Sequence, residues 1–418
     1  MRSGKRSRRK RGGQPGHDPH HRERLPPERV TARHEVKPTA CRRCGKALAG
    51  IDPAPAVHQV VEIPEAVATA VEYRVHRLRC PCGTVTSAGL PDGVPESGYG
   101  PRAEALVATM AGAYRIAHRP MQQLVWDLYQ LPLALGTVSK VEQRVCEAVC
   151  APVDEALSFV QRYRHVFVDE TSWTEAKRKA WLWVAQAASL VAVFFIRTSR
   201  GARVAKELLG ELYRGYVHSD RWSAYSFLDP AHRQLCWAHL RRHFVAFEDW
   251  GEQAKQLGHR LQRQCRRMAG LWKRARDGTL SRADFQRKMV PVEERILALL
   301  DEGQACPVKK VAGQCRQILK LRAALFTFVR VEDIEPTNNA AERALRHAVI
   351  WRKSSYGTDS ARGSRFVERM LTVVTTLRLQ RRNVLQWLTV ACEARLARRP
   401  PPSLLPVLQQ AQPLPMAA

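Results

Sequence analysis

Acidic residues are scarce in this chain: 39 Asp and Glu face 68 Lys and Arg, a formal net charge of +29 over 418 residues. That imbalance exceeds what solubility requires and points to a polyanionic partner, of which nucleic acid is the commonest. Long apolar runs are missing too. The most membrane-like stretch, Ala180 to Ile196, is broken by Gln186 and Ser189 and is rich in Trp, Val and Phe, so it reads as two consecutive strands and no membrane is expected. The first twelve residues carry seven Lys/Arg and no acid, but no apolar stretch follows, so no secretory leader is expected. The eleven cysteines are odd in number and scattered, which does not make a disulfide framework and suits a reducing cytoplasm. There is no internal repeat.

What is present fills cores: 45% of the residues are apolar, enough for two or three folded domains. Residues 1–37 are basic and rich in Gly and Pro, a flexible arm suited to lie along phosphates. Residues 38–95 hold four cysteines among short β-rich pieces, and residues 96–160 turn helical. Within 161–399, strands alternate with helices over 164–245, residues 252–330 are helical and basic, and the end is helical again. The Pro-rich residues 400–418 read as a disordered tail.

Cys41-Arg42-Arg43-Cys44-Gly45 and Cys80-Pro81-Cys82-Gly83 are two knuckles separated by 35 residues. A tetrahedral zinc site needs four soft ligands from two tight turns, and a glycine after each pair lets the backbone curl back. Cys41, Cys44, Cys80 and Cys82 are therefore the expected ligands of one structural Zn²⁺. Four unrelated buried cysteines are the alternative.

Arg119 to Gln130 carries Met121, Leu124, Val125 and Leu128 at helical spacing, and Leu131–Gly136 breaks the pattern. A second helix is expected from Thr137, as N-cap, to about Cys150. This has the shape of a helix-turn-helix, whose second helix would present Ser139, Lys140, Gln143 and Arg144 to a major groove. An ordinary helical hairpin has the same pattern, and only the surrounding charge favours DNA.

Two short apolar strands end in acid: Val166-Phe167-Val168-Asp169-Glu170 and Tyr216-Val217-His218-Ser219-Asp220. Between them lie two strands at hairpin distance, Trp181–Ala188 and Leu190–Arg197, and a helix, Ala202–Leu212. That order predicts three antiparallel strands, then a helical crossover to a fourth beside the first. Asp169 and Asp220 would end on adjacent strands. Two divalent ions about 3.5–4 Å apart, as phosphoryl chemistry uses, need hard oxygen ligands from several elements. The third is expected to be Glu342, on a helix capped by Thr337 or Asn338 with Ala341, Leu345 and Ala348 as its buried stripe. Arg343, Arg346, Arg352 and Lys353 on it would hold phosphates. Glu170 competes with Asp169 for the metal, and Glu342–Arg346 could be only a surface ion pair.

Several of these stretches together resemble the transposases of bacterial insertion sequences, specifically the insertion sequence sixty-six family. They are Gly12-Gly13-Gln14-Pro15-Gly16-His17, the two knuckles, Val168–Thr171, Trp181–Val184, Gly215–Tyr225, Cys236-Trp237-Ala238-His239-Leu240-Arg241-Arg242, and Asn338–Arg346 with Arg352-Lys353. The resemblance implies an α/β ribonuclease-H-like mixed sheet flanked by helices, with 252–330 as a helical insertion, preceded by a small zinc ribbon and a helical DNA-binding region. It makes Asp169, Asp220 and Glu342 the acidic triad of a DDE transposase, holding two Mg²⁺ (or Mn²⁺) for DNA cleavage and strand transfer. His239, Arg241 and Arg242 would line DNA. Implied partners are double-stranded DNA at element ends and target, further copies of the chain, and accessory proteins of the same element, all in the bacterial cytoplasm at the nucleoid. A non-catalytic, domesticated DNA-binding protein or a simple nuclease of the same fold are the alternatives. A second zinc site at Cys236, His239 and His243 has suitable residue types but no fourth ligand in the sequence.

Overall fold

The computed structural model describes residues 23–406; the Gly12–His17 motif, most of the expected arm, and residues 407–418 lie outside them. The chain forms two units, Met1–Ala66 and Val67–Ala418. In the first, a 3-10 turn spans Pro27–Arg29, and a bridge between Ala40 and Ala47 closes the first cysteine turn. Gly45 there has a φ of +70° and donates its N–H to the Cys41 carbonyl at 2.9 Å.

The second unit opens on a hairpin, β1 (Arg77–Arg79) and β2 (Val85–Ser87), whose turn is the second knuckle. Gly83 has a φ of +90° and donates to the Cys80 carbonyl at 2.8 Å. Both glycines use a backbone region that a Cβ disfavours, so each turns the chain back over its cysteine as its place in the sequence suggests. Four helices follow: α1 (Pro101–Gly112), α2 (His118–Tyr129), α3 (Leu135–Ala148) and α4 (Cys150–Arg162). Thr137 does not cap α3. The N-cap position is Ala134, three residues earlier, directly after the buried Leu133.

Then come β3 (His165–Glu175), β4 (Arg178–Ala187) and β5 (Val191–Arg197), an antiparallel meander, so the Ala180–Ile196 stretch is indeed two strands. α5 (Ala202–Leu209) crosses back to β6 (Tyr216–Ser219), which runs parallel to β3, and β7 (Arg233–Leu235) runs parallel to β6. The sheet order is β5-β4-β3-β6-β7, the mixed five-stranded arrangement of a ribonuclease-H-like core. α6 (Trp237–Ala246), α7 (Glu252–Arg276), α8 (Arg282–Gln304), α9 (Lys309–Leu319) and α10 (Thr327–Arg330) fill the space in sequence before α11 (Asn339–Ser355), α12 (Ala361–Leu379) and α13 (Val384–Leu396).

Strand alternation sorts the core. Val166 and Val168 join Trp183, Val217 and Tyr225 in a cluster that includes residues of α1 to α5, α12 and α13. Phe167 and Trp173 face the other way, with Leu182, Val184 and Phe194, against α11 and α12. Helices α6 to α10 carry their own apolar cluster around Phe244, Phe285 and Phe328. The outer strand β5 is sealed by α12: the N–H groups of Ala192 and Phe194 donate to the hydroxyls of Thr376 and Thr372, both at 3.1 Å, and that of Ile196 donates to Glu368. Two strand residues rise about as far as four helix residues, which lets this ladder stay in step and removes a sticky edge. Residues 400–406 are not a disordered tail. Leu404 is fully buried, and Trp387 Nε1 donates to the Ser403 carbonyl at 3.2 Å.

Candidate active site

Asp169 lies on the strand face that carries Phe167 and Trp173, toward α11. Phe167 is level with His218 in the parallel β3–β6 register, so two residues on, Asp169 comes level with Asp220, immediately after β6. Ser219 is level with Leu235, which sets Asp220 beside Cys236, and the Cys236 N–H donates to the Ser219 carbonyl at 3.0 Å. The carboxyl ends of parallel strands are where open α/β sheets collect ligands.

Helix α11 brings Glu342 to the same place, and Asn338 makes the joint. Fully buried, it donates from Nδ2 to the Val168 carbonyl at 2.7 Å and from its backbone N–H to Cys236 Sγ at 3.2 Å. Its carbonyl accepts the Glu342 N–H at 3.2 Å. One side chain and its backbone thus touch the neighbour of Asp169, the neighbour of Asp220 and Glu342 itself. Asn338 does occupy the N-cap position, but its side chain makes no capping bond, because the amide is engaged on β3. Thr337 is not the cap.

The electrostatics follow from crowding acids out of water. Burial first, then Glu170, then smaller repulsions from Asp220 and Glu342, push the Asp169 carboxyl up to about 8, against one opposing hydrogen bond from the Glu170 N–H at 2.9 Å. Asp220 accepts the Trp222 N–H at 2.8 Å. Among the described residues neither aspartate has an ion-pair partner within 4 Å. Glu342 pairs with His239 at 3.5 Å and Arg242 at 3.4 Å, not with Arg346. Two uncompensated aspartates beside a third carboxylate, with the buried Asn338 Oδ1 also lacking a donor, fit a hard divalent cation by donor chemistry.

A pH effect follows for the metal-free protein. Asp169 titrates far above its unfolded value of 3.8, so the stability it contributes is full below about pH 4 and is lost as pH rises toward 8. His218, held down to about 3 by burial, acts in the opposite sense but only below pH 6.5. Between pH 6.5 and 8 the Tm of the metal-free chain should therefore fall more steeply than that of Asp169→Asn. Parallel slopes would contradict a buried, repelled carboxyl at this position.

Glu170 is no competitor for the same place. It points to the opposite face, where Arg200 holds it at 2.8 Å and the Tyr225 hydroxyl donates to it at 2.6 Å. Arg200 is itself stacked between Trp181 and Trp222, at 4.6 and 3.9 Å from their ring centres. None of this cluster was legible in the sequence beyond the alternation of β3.

The residues expected to contact DNA divide. Lys140, Gln143, Arg241, Arg242, Arg343, Arg346 and Lys353 are exposed. Arg144 instead donates Nε to the buried Glu104 at 2.5 Å, so it braces helices and is not free to read bases. Arg352 bonds Thr171 Oγ1 at 3.0 Å and Ser172, fastening α11 to β3 where it was expected to hold phosphate. A cavity of about 200 Å³ beside Asp220 is lined by Trp222, Cys236, His239 and His243. A larger one, about 760 Å³, lies at the other end of β3 and β6 among residues 161–164 and 209–216, away from every acid of the triad. Of the two, only the smaller is lined by one of the three acids, Asp220. Among the described residues no helix is long and apolar enough to cross a membrane.

The uncharacterized protein y4qI of Sinorhizobium fredii (strain NBRC 101917 / NGR234) is 29% identical over 270 residues, 56% of this chain and 48% of the relative. The chain thus spans about half the length of that relative. The family described as Transposase IS66 family matches residues 97–365, from just before α1 into α12. That stretch is more than half of the chain and contains Asp169, Asp220 and Glu342, and the chain belongs to the IS66 family of transposases.

Proposed function

We propose that the chain is a DDE transposase that cleaves DNA at the ends of an insertion sequence and joins those ends to target DNA. The observation that carries this reading is the level placement of Asp169 on β3 and Asp220 at the end of β6, with α11, the helix of Glu342, bonded through Asn338 to the Val168 carbonyl. In this reading the three carboxylates hold two Mg²⁺ (or Mn²⁺), which when bound would neutralise phosphate charge and activate the attacking oxygen. Asn338 fastens the start of α11 to β3 and to Cys236 after β7, so that Glu342 meets the aspartates without rearranging. The exposed Arg241, Arg242, Arg343, Arg346 and Lys353 neutralise phosphates and orient the strand, while Lys140 and Gln143 on α3 face a groove. Double-stranded DNA, further copies of the chain and accessory proteins of the element are the partners, in the bacterial cytoplasm at the nucleoid.

The test is incubation with DNA bearing the element's own ends and Mg²⁺, with nicks mapped at nucleotide resolution. Nicks at the ends followed by joined products support transposition. Cleavage without joining would make the chain a nuclease, and binding without cleavage a non-catalytic DNA-binding protein.

In the same proposal, the spacing of the two Cys-Gly knuckles supports one structural Zn²⁺ held by Cys41, Cys44, Cys80 and Cys82, which lie outside the family match. Purified protein should hold about one tightly bound zinc per chain at this site. Cys44→Ser should release it while leaving the thermal transition of the 161–399 region in place. A metal-free native preparation would remove the site.

A further inference from the structure

The Cys236 thiol, the His239 imidazole and the Glu342 carboxylate offer ligand atoms that all lie within 4.8 Å of one another. Local folding explains the meeting. Cys236 follows β7 and occupies the N-cap position of α6, His239 is one turn along, and Glu342 arrives on the first turn of α11. His239 Nδ1 is buried with no hydrogen-bond partner, and Glu342 Oε1 lies 3.5 Å from it. Cys236 and His239 also line the 200 Å³ cavity, together with His243 one turn further on. The triple suggested by sequence was Cys236, His239 and His243. The fold puts Glu342 in the third position and leaves His243 or a water to complete a tetrahedron.

Sulfur, nitrogen and oxygen donors together select Zn²⁺ over Mg²⁺, whereas three carboxylates select Mg²⁺. We infer that Cys236, His239 and Glu342 form a second metal site, one for a softer divalent ion such as Zn²⁺, that shares Glu342 with the proposed catalytic set. On binding, the Cys236 thiol gives its proton to solvent and sulfur bonds the ion. The consequence, which rests on Glu342 serving the catalytic ions, is that Zn²⁺ captured here withdraws that carboxylate and silences the enzyme. Binding itself does not depend on that reading.

Cobalt(II) is a coloured stand-in for zinc and serves as the probe. The metal-free full chain and its Cys236→Ser, His239→Asn and Glu342→Gln variants are titrated with Co²⁺, with far-ultraviolet circular dichroism as a check of folding. The wild-type chain should bind one equivalent more than Cys236→Ser, and the difference spectrum should show a sulfur-to-cobalt charge-transfer band and the visible bands of tetrahedral cobalt. Zn²⁺ should displace that equivalent and Mg²⁺ should not. His239→Asn and Glu342→Gln should each weaken it about tenfold or more. Equal stoichiometry and spectra in wild type and Cys236→Ser overturn the site. If Cys236→Ser fails to fold, unchanged Co²⁺ affinity in folded His239→Asn overturns it. No DNA is present, so a chain that never cleaves DNA can still pass or fail.

Discussion

Glu104→Ala should destabilise the second unit by about 2–4 kcal/mol, because it strands two arginines on an apolar core. Glu104 is 2% exposed on α1, and its carboxylate takes Arg144 Nε at 2.5 Å and Arg395 Nη2 at 3.2 Å, with the Ser97 hydroxyl donating at 3.2 Å. These contacts tie α1 to α3 and α13, helices that are distant in sequence. Both arginine side chains keep 20–29% exposure, so water softens the loss below that of a fully buried pair. Glu104→Gln keeps an acceptor and should cost less. Urea unfolding followed by tryptophan fluorescence measures the effect, and a change under about 0.5 kcal/mol, the ordinary surface range, would mean that the cluster does not brace the helices. Arg144→Ala should likewise appear as lost stability, with equal loss of binding to element ends and to random DNA.

Much of the sheet could be read from local pattern. The polar break at Ser189 falls in the turn between β4 and β5, although Gln186 proves to be a buried residue of β4; strand alternation put Asp169 and Glu170 on opposite faces, and the stripe Ala341, Leu345, Ala348 on α11 is buried throughout. Such features depend on neighbours a few residues away. The features that were missed depend on partners far off in the chain. Asn338 reaches Val168 across 170 residues, Arg352 reaches Ser172 across 180, and Arg144 finds Glu104 across 40. Thr372 and Thr376 look like a polar helix face, yet both are fully buried because they satisfy the edge of β5. Leu128 errs the other way: it sits at a helical position that suggests burial and is 49% exposed. For the acids, sequence supplied the residues and an order of elements, whereas the level placement of Asp169 and Asp220 came from strand register.

Asp169→Asn, Asp220→Asn and Glu342→Gln should each bind end DNA about as well as wild type and lose both cleavage and joining. Each swap removes a charge and a metal ligand at nearly constant volume, so β3, β6 and α11 should still pack. Phosphate contacts come mainly from Lys and Arg, so binding has little reason to fall. Several kcal/mol of charge stabilisation depends on the ions the carboxylates would hold, which corresponds to a loss of about a thousandfold or more in rate. Glu170→Gln is not a clean control, since that carboxylate is buried against Arg200 and Tyr225; the exposed Glu211→Gln is the better comparison. The most direct measurement is the Mg²⁺-dependent cleavage rate of end DNA at matched occupancy, for wild type, the three acid variants and Glu211→Gln. Cleavage by wild type and Glu211→Gln alone is the predicted result, and cleavage at the wild-type rate by all three acid variants would contradict the two-metal account.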